Sequence, residues 1–359
     1  MGNSLRETKA LARFLDPLVI KQDDSWNQLG ALDELSLIKA LRHNKVVHEF
    51  ERRLAAEPSM KEKILSAFPG VKVFLHDLNE KRKEESYAFS HIRSAFSENG
   101  IEFLLIKSDG SFPHESDNVD VLIKPRTLCE VSKLLKNAGY SELLEVREPH
   151  KFLFRNTHSY ALLPLHIHTR IEWEGTQFID SQNLWSRCRV SVSEGGFYVP
   201  SPEDCILITA AHFFFENHDI KIADLLKIAS RVRQYDLDWD YIIDHSRRLH
   251  WDDAFCLSML LANHAHESLF GRKMLRQSVL SKISETNHAW VALFQKLIRL
   301  SSSGNTPFGI PYGLAAFFFI RRILLDSGLS LSQRLSHVDW VASDALRRRV
   351  LWPGYSSFS

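Results

Sequence analysis

Cysteine is scarce in this sequence, and its four copies stand far apart, at positions 129, 188, 205 and 256. No two of them form a C-x-x-C pair, so a zinc site held by cysteines is excluded. The spacing also lacks the density of a disulfide framework, which argues against a small secreted fold. We expect the thiols to stay reduced, and a cytoplasmic location is the simplest expectation.

Long apolar runs are also missing. The amino terminus has no apolar stretch behind a basic start, and Arg6 stands where a myristoylation signal has Ser or Thr. The most apolar run, Leu314–Ile320, ends at Arg321 and is far shorter than the ~20 residues that a spanning helix needs. We therefore expect neither secretion nor lipidation nor a transmembrane segment. The run predicts a buried helix, with a membrane-surface helix as the alternative.

An excess of charge of one sign is absent as well, since 45 Lys and Arg face 44 Asp and Glu. No global field therefore attracts nucleic acid, and we expect no strong nucleic-acid partner. Only 15 Gly and 12 Pro occur among 359 residues, and 44% of the residues are hydrophobic, which excludes a collagen-like or disordered chain. At roughly 150 residues per domain, the length predicts two or three folded units.

The pattern along the chain predicts an α+β protein in three parts. Residues 1–85 read as a helical region, residues 86–200 as a small mixed-sheet core, and residues 201–359 as an all-helical region. The last boundary is marked by Ser201–Asp204, which offers a helix cap, a proline for the first turn and two acids. In the first part, Ser59 and Glu62 have the spacing of a capping box and predict a helix start at Ser59.

The middle part contains short apolar segments with the two-residue period of strands. Residues 101–106 and 118–124 predict two strands joined by a brief loop, and an amphipathic helix over 128–138 is ended by Gly139. Extended segments follow around residues 152–154 and 162–168.

Two of these strands carry polar side chains at alternate positions. Asn118 and Asp120 leave one face of the first strand, and His166 and His168 leave one face of the other. If the strands are neighbours, an amide, a carboxylate and two imidazoles converge, which is a set of metal ligands. The alternative is structural: the amide and the acid close a strand end, and the histidines occupy a sheet edge.

The order of these elements resembles the uncharacterised nucleotidyltransferase family of the polymerase-beta-like superfamily. A Gly139-Tyr140 helix end and a helical tail with an Ala211-His212 pair are also similar to that family. The segments that carry the resemblance are Glu102–Lys107, Ser116–Ile123, Pro164–Trp173, Ser201–Asp204 and His218–Leu225.

The resemblance implies one or two divalent cations, Mg²⁺ or Mn²⁺, held by three carboxylates, and a nucleoside triphosphate as substrate. The three acidic positions fall on Asn118, Asp120 and His166, so two of the three carboxylates are replaced. Imidazole and amide bring no formal negative charge, so we expect poor magnesium affinity. Asp117 supplies a second acid if a bulge or a register shift turns it to the same face as Asp120.

The same resemblance implies nucleotide contacts elsewhere. Lys107 and Ser108 match a phosphate-binding position, and His212 and Asp224 match a histidine and an acid of the helical tail. Each has a structural alternative: a solvated strand end for Lys107, helix packing or capping for His212, and pairing with neighbouring lysines for Asp224.

Three functions remain open at this stage. The first is nucleotidyl transfer from a nucleoside triphosphate to an unknown small-molecule or protein acceptor, with Asp120, Asn118 and His166 as catalytic residues. The second is a degenerate member of the family that binds a nucleotide or a partner without transfer. The third, less favoured, is a hydrolase in which His166 and His168 hold a metal that activates water.

Overall fold

The structure is a computed structural model that divides into two compact units, one built from residues 1–46 and 206–359 and the other from residues 47–205. Among the described residues, no helix is both long enough and apolar enough to cross a membrane. The structure describes residues 5–16, 28–107, 118–143, 150–157, 164–173, 176–191, 197–285, 308–310, 312–326, 330–336 and 338–339.

Helices account for most of the described chain. The unit of residues 47–205 has α3 (Val47–Ala56), α4 (Pro58–Ala67), α5 (Pro69–Glu98), α6 (Leu128–Asn137) and α7 (Ser181–Arg187). Helix α8 (Pro202–Ala211) begins in this unit and continues into the other one. The other unit has α1 (Leu5–Leu15), α2 (Glu34–His43), α9 (Ile222–Gln234), α10 (Trp239–Arg248), α11 (Asp252–Phe270), α12 (Gln277–Glu285) and α13 (Tyr312–Leu325), and a π-helical turn (His212–Asn217) follows α8 directly.

All described strands lie in the unit of residues 47–205. They are β1 (Phe103–Leu105), β2 (Val119–Ile123), β3 (Tyr140–Glu142), β4 (Lys151–Asn156), β5 (Leu165–His168), β6 (Ile171–Trp173), β7 (Thr176–Ile179), β8 (Arg189–Ser191) and β9 (Phe197–Val199). Seven of them form a mixed sheet in the order β3-β4-β5-β2-β1-β9-β8. The β2–β5 and β1–β9 pairs are parallel, and the other neighbours in this sheet are antiparallel. Strands β6 and β7 form a separate antiparallel pair.

One face of the large sheet builds the core of its unit. The inward residues of β2 and β5 alternate along each strand, as the two-residue period requires. They pack with Ile92 and Phe96 of α5 and with Val131 and Leu135 of α6. The sheet residues of this cluster are Phe103, Leu105, Val121, Ile123, Phe152, Phe154, Leu165, Ile167, Phe197 and Val199. The opposite face of these two strands carries the polar side chains of Asp120, His166 and His168 beside the buried Leu122.

The predicted α+β class is confirmed, with helices before and after a mixed sheet. The start predicted at Ser59 is wrong, because α4 begins at Pro58 and its cap residue, Glu57, makes no side-chain capping bond. Proline is pre-organised for the first helical position, so the helix begins one residue earlier. Pro69 likewise opens α5, which runs for 30 residues through the charged segment 80–85.

The start of α8 agrees with the sequence pattern. The backbone N–H of Asp204 donates to Ser201 Oγ over 3.1 Å, and that hydroxyl donates to Asp204 Oδ2 over 2.8 Å. Both residues are buried, so the hydroxyl satisfies two polar groups that water does not reach.

Replacing Ser201 with alanine removes both bonds. We expect Ser201→Ala to lower the free energy of unfolding by about 1 kcal/mol, the usual cost of losing a helix cap, whereas Ser201→Thr keeps the hydroxyl and most of the stability. Urea unfolding followed by circular dichroism measures both. Equal losses in the two variants would show that the hydroxyl is not the stabilising group.

Candidate functional site

The parallel pairing of β2 with β5 brings the polar positions of both strands to one face of the sheet. In the register of this pair, Asp120 lies opposite His166, and Leu122 lies opposite His168. The residues between them, Val121 and Ile167, point into the core on the other face. Acid and imidazoles therefore lie side by side because each strand buries its alternate residues.

Three nitrogen atoms surround a single carboxylate oxygen. Asp120 Oδ1 lies 2.9 Å from His168 Nε2, 3.3 Å from Lys107 Nζ and 3.4 Å from His166 Nδ1. The side chain of Asp120 has no exposed surface, and those of His168, His166 and Lys107 are 6%, 15% and 16% exposed. One ligand atom from each of Asp120, His166 and His168 lies within 4.8 Å of the others, which is close enough to hold one metal ion.

The charges at this site explain how a buried carboxylate stays ionised. Burial by itself would raise the pKa of the Asp120 carboxyl. The Lys107 ammonium and the two imidazoles outweigh burial, so that the pKa of Asp120 lies well below its usual value. Burial lowers the pKa of His168, and the contact with Asp120 opposes this only in part. The site is therefore an ionised Asp120 carboxylate whose Oδ1 faces the Lys107 ammonium, the His166 ring and a neutral His168 imidazole.

Three polar atoms of the site have no hydrogen-bond partner among the described residues. They are Asp120 Oδ2, His166 Nδ1 and His168 Nδ1, and all three atoms are buried. Since His168 Nε2 donates its proton to the carboxylate, Nδ1 of the neutral ring carries a lone pair. An unsatisfied carboxylate oxygen and an unsatisfied imidazole nitrogen are both atoms that a cation binds.

Asn118 and Lys151 lie around the three central residues. Asn118 Nδ2 is 3.4 Å from His166 Nε2, so the amide contacts the ring nitrogen that does not face Asp120. Lys151 of β4 lies opposite His168 in the antiparallel pair, and its charge contributes to the lowered pKa of that histidine. Among the described residues, the site therefore has two lysines and one carboxylate, which favours a polyanionic ligand once a cation is added.

The structure places the other predicted residues as follows. Lys107 is not a solvated strand end, because its ammonium contacts Asp120. This contact could not be inferred from sequence, since it depends on how the chain continues after β1. Ser108 and Asp117 lie outside the described residues.

His212 and Asp224 belong to the other compact unit. His212 opens the π-helical turn, where Nε2 lies 3.2 Å from Glu216 and Nδ1 lies 3.1 Å from the Asn217 amide. Asp224 is half-buried near the start of α9 and accepts the backbone N–H of Lys221 over 3.1 Å. Burial raises the pKa of Asp224. Their contacts with a nucleotide remain predictions.

One of three comparisons with known proteins supports the family that the sequence resembles. A family model described as "Uncharacterised nucleotidyltransferase" matches residues 115–266, which include β2, β5 and the helices from α8 to most of α11. Searches of curated proteins and of solved structures gave no match. The match supports a nucleotidyltransferase-like kind of function, and every member of the Asp120–His166–His168 cluster falls inside it.

The ion pair between Lys107 and Asp120 can be tested by stability. Lys107→Met leaves a buried carboxylate with imidazole neighbours alone, and we expect the free energy of unfolding to fall by about 1–3 kcal/mol. Lys124→Met is the matched control, because Lys124 contacts Glu102 with both side chains partly in water, and such pairs contribute at most about 1 kcal/mol. Urea unfolding measures both variants. Equal effects would mean that Lys107 does not neutralise Asp120.

Proposed function

We propose that this protein transfers a nucleotidyl group from a nucleoside triphosphate to an acceptor hydroxyl or similar group. The acceptor is a small molecule or a protein. The observation that supports the proposal best is the convergence of Asp120, His166 and His168 on one face of the sheet. All three lie within the segment that matches the nucleotidyltransferase family model.

The donor set decides which cation the site accepts. Three carboxylates suit Mg²⁺, whereas the cluster that the described residues form has one carboxylate and two imidazoles, a donor set that does not suit two magnesium ions. Asp120, His166 and His168 would hold a single divalent cation, and Mn²⁺ should serve better than Mg²⁺. A bound divalent cation neutralises triphosphate charge and stabilises the leaving pyrophosphate.

The protein's own residues supply charge and orientation. The ammonium groups of Lys107 and Lys151 bring positive charge to the face where the triphosphate would bind. Asn118 contacts one nitrogen of His166 and so holds the ring with its other nitrogen towards Asp120. The parallel strands fix both imidazoles relative to the carboxylate, which removes the entropic cost of assembling them.

A transfer assay with labelled nucleoside triphosphates tests the proposal. We expect weak transfer or self-labelling that is stronger with Mn²⁺ than with Mg²⁺. Asp120→Ala should reduce it by about 100-fold or more, because a metal ligand contributes several kcal/mol to charge stabilisation. The matched control is Asp236→Ala, which removes an exposed carboxylate and should leave transfer unchanged.

Three outcomes would contradict the proposal. Transfer that survives Asp120→Ala places the chemistry elsewhere. Nucleotide-dependent thermal stabilisation without any transfer indicates a binding module instead. Release of inorganic phosphate or hydrolysis of an ester, lost when His166 and His168 are changed together, indicates a metal-dependent hydrolase.

A further inference from the structure

We infer that Asp120, His166 and His168 form a binding site for one borderline transition-metal dication, of the kind of Zn²⁺, Co²⁺ or Fe²⁺, and that Lys107 is its built-in competitor. The inference deepens the proposed function, and its use in transfer rests on that proposal. The binding itself rests on the geometry of the cluster alone.

The donor atoms of Asp120, His166 and His168 suit a borderline dication better than Mg²⁺. Magnesium is a hard ion that prefers oxygen ligands and keeps much of its water, and imidazole is a poor replacement for a carboxylate around it. Two imidazoles with one carboxylate instead suit zinc, cobalt and ferrous iron, for which imidazole is a preferred ligand. Three protein ligands also leave coordination positions for phosphate oxygen or water.

The fold already holds the ligands together. Their donor atoms lie within 4.8 Å of one another, and neighbouring parallel strands carry them. The side chains of Asp120 and His168 are almost wholly buried, so little water has to leave when an ion binds. A pre-assembled site loses little conformational entropy when the ion binds.

Buried atoms of the site lack hydrogen-bond partners. Asp120 Oδ2, His166 Nδ1 and His168 Nδ1 make no hydrogen bond with any described residue. Buried polar atoms normally have a partner, so these three atoms are positions at which a ligand can bind. A carboxylate oxygen and imidazole nitrogens are the atoms that coordinate a borderline dication.

Lys107 occupies the position of a competing cation. Its ammonium lies 3.3 Å from Asp120 Oδ1, the same oxygen that both imidazoles face. A dication on Asp120 repels the ammonium and takes over its role as counter-ion. Binding of the metal ion therefore releases the Lys107 side chain, which becomes available to a triphosphate on the same face. Removing the ammonium should strengthen metal binding, although it weakens the metal-free protein.

The experiment uses the full chain without an affinity tag, stripped by a chelator and titrated calorimetrically with Zn²⁺, Co²⁺ and Mg²⁺. We expect one Zn²⁺ per chain, bound at least about 100-fold more tightly than Mg²⁺. Bound Co²⁺ should show visible absorption bands of a nitrogen- and oxygen-ligated ion. His166→Gln and His168→Gln should each weaken Zn²⁺ binding about 10–100-fold.

His76→Gln is the matched control, because His76 is exposed on α5, and its binding should equal that of the unaltered protein. Circular dichroism and thermal unfolding establish that each variant is folded. Lys107→Met should tighten Zn²⁺ binding about tenfold and should gain more thermal stability from Zn²⁺ than the unaltered chain does. Weaker binding by Lys107→Met would overturn the role of Lys107 as competitor.

The site is overturned if Zn²⁺ binds no more tightly than Mg²⁺, or if folded His166→Gln and His168→Gln variants bind it as the control does. Failure of the proposed function looks different: Zn²⁺ and Co²⁺ bind as described, but no nucleotidyl transfer is found with any cation. Transfer that needs Mg²⁺, with no tight Zn²⁺ binding, would support the function and reject this inference.

Discussion

The arrangement of this protein's candidate site depends on the parallel pairing of β2 with β5 in one register. That pairing sets Asp120 beside His166 and buries Val121 and Ile167 on the other face. A shift by one residue would turn the imidazoles into the apolar core and the core residues to the site. Burying the apolar face against α5 and α6 therefore also determines where the chemistry-bearing side chains lie.

The second constraint is electrostatic. A carboxylate without exposed surface is stable only with positive charge or hydrogen-bond donors around it, and here Lys107 and two imidazoles provide them. These groups account for the low pKa of Asp120. The same groups leave the site with little net negative charge, which a hard cation such as Mg²⁺ needs in order to bind tightly. With one carboxylate and two imidazoles, the cluster of Asp120, His166 and His168 suits a softer ion than Mg²⁺.

Much of the fold could be predicted because its signals are local. The two-residue alternation of β2 and β5 and the capping pattern of Ser201 each depend on neighbouring residues, and all three are present in the structure. Ser59 shows the limit of such signals, since a proline one residue earlier begins the helix in its place. The π-helical turn at 212–217 follows a helix without a break, and helical periodicity does not distinguish it from more α-helix.

The site could be predicted only as far as its strand faces. Alternation predicts that the polar residues of each strand share a face. It brings the two sets together only if β2 and β5 are neighbours. That pairing joins residues 46 positions apart in the sequence, and no local sequence signal indicates it. The contact of Lys107 with Asp120 depends on the path of the chain beyond β1, and two-residue periodicity says nothing about it.

The central claim is that one cation site on this face joins the histidines to a nucleotide. Pulsed electron paramagnetic resonance of the Mn²⁺-loaded protein with a non-hydrolysable nucleoside triphosphate analogue tests it most directly. The account predicts nitrogen couplings from imidazole ligands, lost in His166→Gln and His168→Gln, together with a phosphorus coupling from the nucleotide. A phosphorus coupling without any nitrogen coupling would contradict it, because the nucleotide and its cation would then bind away from His166 and His168.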